Sequence, residues 1–324
     1  MELIGIVVLI SLSVLLIGKG ADWFTDSLIP VARNLGVSGI SVGLLLVSTA
    51  VSLPEVLVAI DGSLHGYPGL ALGVIFGSVI ANIGLMTGLA ACVAPLKVTR
   101  HLILRDGIFS LIIPILIFAI GHGGTVSRFE GLAILLLFIP YVINVFLQER
   151  VTQGKAPDKL KVIVFELKLL GFDMGKLHSG WLSFVFGLGA LILGTQIFSS
   201  QLINIVSHFG QNDLFIGLTL GAIGPSIPNI LTAIKAAQRG MGEIALSETL
   251  GSNIFTLLVT LGIVAMISPL VIQNRWLVFD IPAVVFMSFL LFFFMITKKS
   301  ISTFEGAILI LAYSSILLIQ SVLK

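Results

Sequence analysis

The feature that most constrains this chain is a succession of apolar runs, each about as long as a bilayer is thick. Leu111–Ile120 and Val284–Ile296 hold no charged residue at all. A helix needs about 20 apolar residues to cross the hydrocarbon. The runs predict ten spans, at 3–32, 38–64, 69–94, 103–121, 128–147, 181–207, 213–238, 243–268, 276–297 and 302–322. Lipid offers no partner to a backbone amide, so such spans are helices, and the fold class is an all-α membrane protein. The composition agrees. Of 324 residues, 57% are hydrophobic and 10% charged, and the mean hydropathy is +1.13. So few charges cannot cover the surface of a soluble domain of this length, which excludes a soluble enzyme and a disordered chain. A net charge of +2 gives no basic field for nucleic acid. One cysteine, Cys92, excludes an intrachain disulfide, and five scattered histidines without an H-x-x-x-H pair argue against zinc. The first run carries Glu2 in place of a basic leader and continues past any plausible cleavage point, so it reads as a span.

The longest hydrophilic stretch lies between spans 5 and 6, at 148–179, and holds Arg150, Lys155, Lys159, Lys161, Lys168 and Lys176. It is short enough to be a linker between a first unit, 1–147, and a second, 180–324. With the N-terminus outside, these six join Arg33, Lys97, Arg100, Arg105, Lys235, Arg239, Lys298 and Lys299 on the cytoplasmic side. Only Arg128, Arg275 and Lys324 then lie outside. The positive-inside rule therefore predicts a cytoplasmic linker and both termini outside, in a cell membrane.

Shifted by 174 residues, the halves match without a gap over most of spans 1–3 against 6–8. Gly20 falls on Gly194, Phe24 on Phe198, Gly36 on Gly210 and Gly43-Leu44 on Gly217-Leu218. Ser52 falls on Ser226, Pro54 on Pro228, Gly66 on Gly240 and Gly77-Ser78 on Gly251-Ser252. Ile80 falls on Ile254, Gly88 on Gly262 and Pro95 on Pro269. Five spans per half is an odd number, so the second half enters from the opposite face. That predicts two inverted-topology repeats, the architecture of many secondary transporters, with ion sites near the midplane.

The pointer to such a site is a matched pair of spans interrupted by Gly and Pro. Span 2 reads Val47-Ser-Thr-Ala-Val-Ser-Leu-Pro-Glu55, and its mate in span 7 reads Gly221-Ala-Ile-Gly-Pro-Ser-Ile-Pro-Asn229. Pro54 and Pro228 each remove a backbone donor, so helices 2 and 7 are expected to be broken at the centre. Span 3 adds Gly77-Ser-Val-Ile-Ala-Asn82, and span 8 adds Gly251-Ser-Asn-Ile-Phe-Thr256. Ser78 and Asn82 are four apart and share a helix face, as do Ser252 and Thr256. Glu248 lies one turn before Ser252. Hydroxyls, amides and a carboxylate are the donors a hard cation takes, and a carboxylate at membrane depth reads as functional. The candidate cation ligands are therefore Glu55, Ser52, Ser78, Asn82, Ser226, Asn229, Ser252, Thr256 and Glu248. Other readings stand beside this one. Ser78 and Ser252 can serve close helix packing, and Asn82 and Asn229 can bond helices together. Glu55 can be a protonated structural acid, and Glu248, toward the cytoplasmic end of span 8, can be solvated. Asp22 and Asp26 fit a helix-end or packing role near the cytoplasmic half, with ion access as the second reading. Asp61, Asp106, Glu130, Asp213, Glu243, Asp280 and Glu305 look like interfacial residues or caps.

With these motifs the chain resembles the cation/calcium exchanger superfamily, and most of all its sodium/calcium exchanger branch. There each repeat carries a G-T-S-x-P-E-type motif followed by a G-S-N-I-type motif. The counterparts here are Ala50-Val-Ser-Leu-Pro-Glu55 with Gly77-Ser-Val-Ile-Ala-Asn82, and Gly224-Pro-Ser-Ile-Pro-Asn229 with Gly251-Ser-Asn-Ile-Phe-Thr256. The resemblance spans nearly the whole chain. It implies calcium bound between the repeats, sodium at flanking sites, and alternating access by sliding of spans 1 and 6. The departures are Val51, Pro225, Asn229 and Thr256. On the offset, Asp22 pairs with Gln196, Asp26 with Ser200 and Glu55 with Asn229, so the second half lacks the acids of the first. The expected function is secondary active antiport of Na+ and Ca2+, by a monomeric unit in the lipid bilayer, with small cations as its partners and no cofactor. The alternatives are a monovalent-cation or H+-coupled antiporter on the same fold, or a cation-binding homologue impaired in transport. No nucleotide motif or catalytic triad points to an enzyme.

Overall fold

A computed structural model describes residues 2–34, 40–152, 181–209 and 212–322. Most of the basic linker, the Gly36/Gly210 pair, and the side chains of Asp26 and Arg150 lie outside what is described. We number the helices by span. They are α1 (Glu2–Asn34), α2 (Ile40–Leu64), α3 (Pro68–Val93), α4 (Arg100–Gly121) and α5, made of Arg128–Leu136 and Phe138–Thr152. The second half supplies α6 (Trp181–Phe209), α7 (Asp213–Gln238), α8 (Gly242–Ile267), α9 (Trp276–Lys298) and α10 (Thr303–Val322). Among the described residues, nine of these are long and apolar enough to cross a membrane; α2, with 25 residues, is outside that set. Four two-residue strands complete the elements: β1 (Leu96–Lys97), β2 (Thr125–Val126), β3 (Leu270–Val271) and β4 (Ser300–Ile301).

Burial sorts the helices into a centre and a ring. The apolar window of α3 is 94% buried, against 22% for α5. Helices α3, α7 and α8 pack around α2, while α1, α5, α6 and α10 turn large apolar side chains outward, among them Ile4, Phe129, Leu182 and Leu311. That is the inverse of a soluble fold and what a lipid solvent demands.

The contacts of the first half recur in the second. Helices α1 and α6 cross where a Cβ on Gly20 would come within 2.6 Å of Leu191 N, and one on Gly194 within 3.0 Å of Ile17 N. These are mates on the offset of 174. The turn after α2 needs Gly66 at φ 81°, and the turn after α7 needs its mate Gly240 at φ 74°, in the left-handed region that side chains with a Cβ resist. Strand β1 pairs with β4, and β2 with β3, both antiparallel. β1 and β3 are mates at 174, whereas β2 and β4 are mates at 175. From there the shift of one extra residue persists. The capping box of Ser127 and Glu130 opens α5, and Ser302 with Glu305 opens α10; in each the serine N donates to the glutamate at 2.7 Å. The two strand pairs also set the spans against one another. The segment before α4 joins the segment after α9, and the segment after α4 joins the segment before α9, so these two helices run antiparallel.

Two expectations meet a different geometry. Helix α2 continues through Pro54, and Pro225 and Pro228 lie inside the helical stretch Ala222–Gln238. In a packed membrane bundle, neighbouring helices and hydroxyls re-satisfy what a proline frees. The irregularities are π-helical turns instead, at Asn82–Thr87, Ile103–Gly107, Gly217–Gly221, Thr256–Thr260 and Trp276–Asp280. Asp106 and Asp280, expected at the interface, are both buried.

Candidate cation site

Glu55 stands one residue past Pro54 in α2 and is fully buried. Its carboxylate is met by the other half of the chain. Ser226 Oγ of α7 donates to Oε1 at 2.6 Å, and Thr256 Oγ1 of α8 donates to Oε2 at 3.4 Å. Ser226 Oγ also lies 2.8 Å from its own Ala222 O. One hydroxyl carries one proton, so the two acceptors compete for it. Ser78 adjoins the carboxylate, but its hydroxyl makes no hydrogen bond of ordinary geometry.

A second set of contacts crosses the same boundary. Ser52 Oγ and Ser252 Oγ, from α2 and α8, are 2.9 Å apart. Asn82 Nδ2 of α3 donates to Ser252 Oγ at 3.4 Å and to Asn253 Oδ1 at 3.1 Å. Farther along, Thr87 and Thr249 join through their hydroxyls at 2.9 Å. Asn82 and Thr256 are repeat mates, and each opens a π-helical turn. Such turns carry one extra residue per turn and so re-aim the side chains that follow; they gather at functional sites.

Of the nine candidates, Ser52, Glu55, Asn82, Ser226, Ser252 and Thr256 are tied into these contacts, and Ser78 lies against them. Asn229 and Glu248 are not. Asn229 is buried, and no hydrogen bond joins it to Glu55. Glu248 is also largely buried, and its Oε1 has no partner. The sequence reading missed Asn253, which bonds Asn82. Its mate is the apolar Val79, so the repeat gave no signal; its place directly after Ser252 in the second motif was the available clue.

Among the described residues no three of His, Cys, Asp and Glu gather around one point. What gathers is one carboxylate with hydroxyls and amides. The carbonyl oxygen of Asn82 is buried and unpartnered, as is the Ser78 hydroxyl. Buried oxygens without donors are costly unless something positive meets them. Neutral oxygens around one carboxylate suit a hard, oxygen-seeking cation and no soft metal.

The sequence and the fold have counterparts among known proteins. A model of the family described as sodium/calcium exchanger protein matches residues 5–147 and 179–322. The chain belongs to the sodium/calcium exchanger family. It is an integral membrane protein of a family of transporters, not enzymes. The sodium/calcium exchanger MaX1 of Methanosarcina acetivorans is 30% identical over 93% of this chain and 94% of its own length. The inner membrane protein YrbG of Escherichia coli is 30% identical over 81% of this chain and 79% of its own. Among solved structures, the sodium-calcium exchanger NCX_Mj soaked with sodium and strontium superposes with a TM-score of 0.67. It is 27% identical and covers 96% of both chains. The same exchanger without sodium and calcium gives 0.65 at 26% identity. The fold is thus the all-helical membrane fold of that exchanger.

Proposed function

We propose that the chain is a secondary active antiporter that exchanges sodium for calcium across a cell membrane by alternating access. The observation that carries this is Glu55: a fully buried carboxylate of the first half, held by Ser226 and Thr256 of the second. A charge at that depth is retained for function, and its place between the halves lets either face reach it as they move. Glu55, Ser52, Ser78, Asn82, Ser226, Asn229, Ser252 and Thr256 hold the cation, with Glu248 adding negative charge nearby. The membrane is crossed ten times, in two inverted repeats, 1–147 and 180–324, joined by the linker 148–179. The linker is cytoplasmic, both termini are outside, and the unit that works is the monomer. The matched crossings at Gly20 and Gly194 support α1 and α6 moving as one body, bonded to α2 through Ser199 and Asp61.

The test is flux. Proteoliposomes loaded with sodium are expected to take up external radioactive calcium, and to stop when the sodium gradient is removed. Uptake indifferent to sodium, or none, overturns the reading. A second reading is favoured by one observation, that Glu55 is the one carboxylate among the hydrogen-bonded residues of the site. It makes the cargo a monovalent cation, exchanged for another or for a proton carried on Glu55. A pH gradient in the same vesicles separates it from the first.

A further inference from the structure

The offset that pairs the halves also pairs two acids outside the central site. Asp106 in α4 and Asp280 in α9 are 174 apart. Each closes or nearly closes a π-helical turn, Ile103–Gly107 and Trp276–Asp280. Each lies near the start of its helix, and the strand pairs put those starts at opposite ends of the bundle. Both side chains are buried, to 0% and 1% exposure.

Their surroundings differ completely. Asp106 is neutralised by a fixed cation. Arg105 Nε donates to Oδ1 at 2.7 Å and Nη2 to Oδ2 at 2.6 Å, a bidentate pair, and Tyr141 OH adds a bond to Oδ1 at 3.2 Å. At Asp280 neither oxygen has a partner. The mate of Arg105 is Phe279. The mate of Tyr141, on the shift of 175 that holds in α5 and α10, is Ile316. The second half has kept the acid and lost both of its donors.

Among the described residues no neighbour replaces them with a hydrogen bond. The nearest cation, Arg275 at the head of the same turn, reaches Asp280 only through its charge: its Nε makes no hydrogen bond, and its Nη2 goes to Gln320 of α10, at 2.5 Å to Oε1. Helix α9 packs against α3, α4 and α10. Helix α3 carries no charged side chain. In α4 the charged pair Arg105 and Asp106 lies at the far end, and His122, just past the near end, is bonded to Phe118 O. In α10, Glu305 caps the far end, and Tyr313 makes no bond through its hydroxyl. Beyond these, Arg128 and Glu130 at the head of α5 are bonded to Ile267 O and Ser127.

We propose that Asp280 is a proton-binding site: the buried acid that this chain leaves for a mobile proton where its repeat mate has a fixed arginine. An unpaired carboxylate at this depth is costly. A cation has to be taken up or the site is not stable in its charged form. A metal cation wants several oxygens, whereas the site offers the two of one carboxyl, with Gln320 Oε1 already taken. A proton needs one. The step is simple: the carboxylate takes a proton from water at the near face and becomes the neutral acid, with no bond broken in the protein. The site rests on the repeat mates and their contacts. Only the name of the face, outside, rests on the orientation given under Proposed function.

The experiment is infrared spectroscopy of the full chain in liposomes, stepped from alkaline to acidic buffer in potassium, with sodium and calcium absent. A protonated-carboxyl C=O stretching band is expected to grow in acid, to be lost in Asp280→Asn, and to persist in Glu55→Gln. Asn is isosteric with the neutral acid, so the fold should hold. In Phe279→Arg, which restores the mate's cation, the same band should be lost by ionisation rather than removal of the acid. A band identical in wild type and Asp280→Asn overturns the proposal. So does an Asp280 band that ignores pH, or one that sodium removes at constant pH, which would make the site a sodium site. The readout needs no flux, so a failure of exchange and a failure of this site are told apart.

Discussion

The two halves of this protein share a backbone and differ in their charges. Gly20 and Gly194, and Gly66 and Gly240, are pairs that the packing uses alike. Glu55 and Asn229 are a pair that it does not: one is the centre of a hydrogen-bonded cluster, the other a buried amide apart from it. The scaffold tolerates asymmetry at the ligands because helix crossings depend on small residues and turns. A change from glutamate to the shorter asparagine, away from the crossings, leaves those untouched. Evolution of ion preference on such a fold can therefore proceed by side-chain exchange within a fixed frame.

The sharpest way to break this comparison is Glu55→Gln, which makes both mates amides. It is expected to abolish transport, a loss of roughly a hundredfold or more, since about 3 kcal/mol of attraction for a cation goes with the charge in a site of intermediate dielectric. Residual sodium-driven calcium uptake at the wild-type level would remove Glu55 from the site. The reverse change, Asn229→Glu, restores charge symmetry. Calcium affinity is expected to rise roughly tenfold, about 1.4 kcal/mol, read from the calcium concentration at half-maximal uptake. No change would mean that residues 55 and 229 do not share a cation.

Much of this was legible in the residues, and what was not has a physical cause. Nine of the described helices were readable as apolar spans because hydrocarbon imposes one length and one composition on a helix. The repeat was readable because glycine, proline and serine at crossings and turns cannot drift as leucine can. The prolines misled: Pro54 reads as a break, yet the bundle around α2 holds the helix together. The π-helical turns left no mark, because they depend on which carbonyls the neighbours satisfy. Asp106 and Asp280 were misplaced as interfacial because position near a span end was allowed to decide burial. Neighbouring helices decided it instead. The hydrogen bond from Asn82 to Asn253 pairs residues from different halves that are not mates, so no offset reveals it.

The capping boxes test the shared frame rather than its ligands. Ser127→Ala and Ser302→Ala each remove the hydroxyl that accepts from the third backbone amide of the following helix, at 3.3 and 3.4 Å. Each is expected to cost about 1 kcal/mol of stability, and the two costs should agree, as measured by thermal unfolding in detergent. A large difference would show that the halves carry unequal loads despite their matched geometry.

The smallest effect expected belongs to Glu248, and it decides how far the asymmetry extends. Its mate is Val74, so here the second half holds the acid and the first does not. The carboxyl is one turn from Ser252 but bonded to none of the central residues, which makes it, when ionised, a source of field and not a ligand. A field acts on a divalent ion with twice the energy it exerts on a monovalent one. Glu248→Gln is therefore expected to weaken calcium by roughly threefold, about 0.6 kcal/mol, and sodium by under twofold. Half-maximal concentrations of both ions in the same vesicles give the ratio. A loss as large as that at Glu55 would place Glu248 among the ligands, restoring two acids to the site at shifted positions. Equal losses for the two ions would mean that its charge is not felt there, and that Glu55 stands alone.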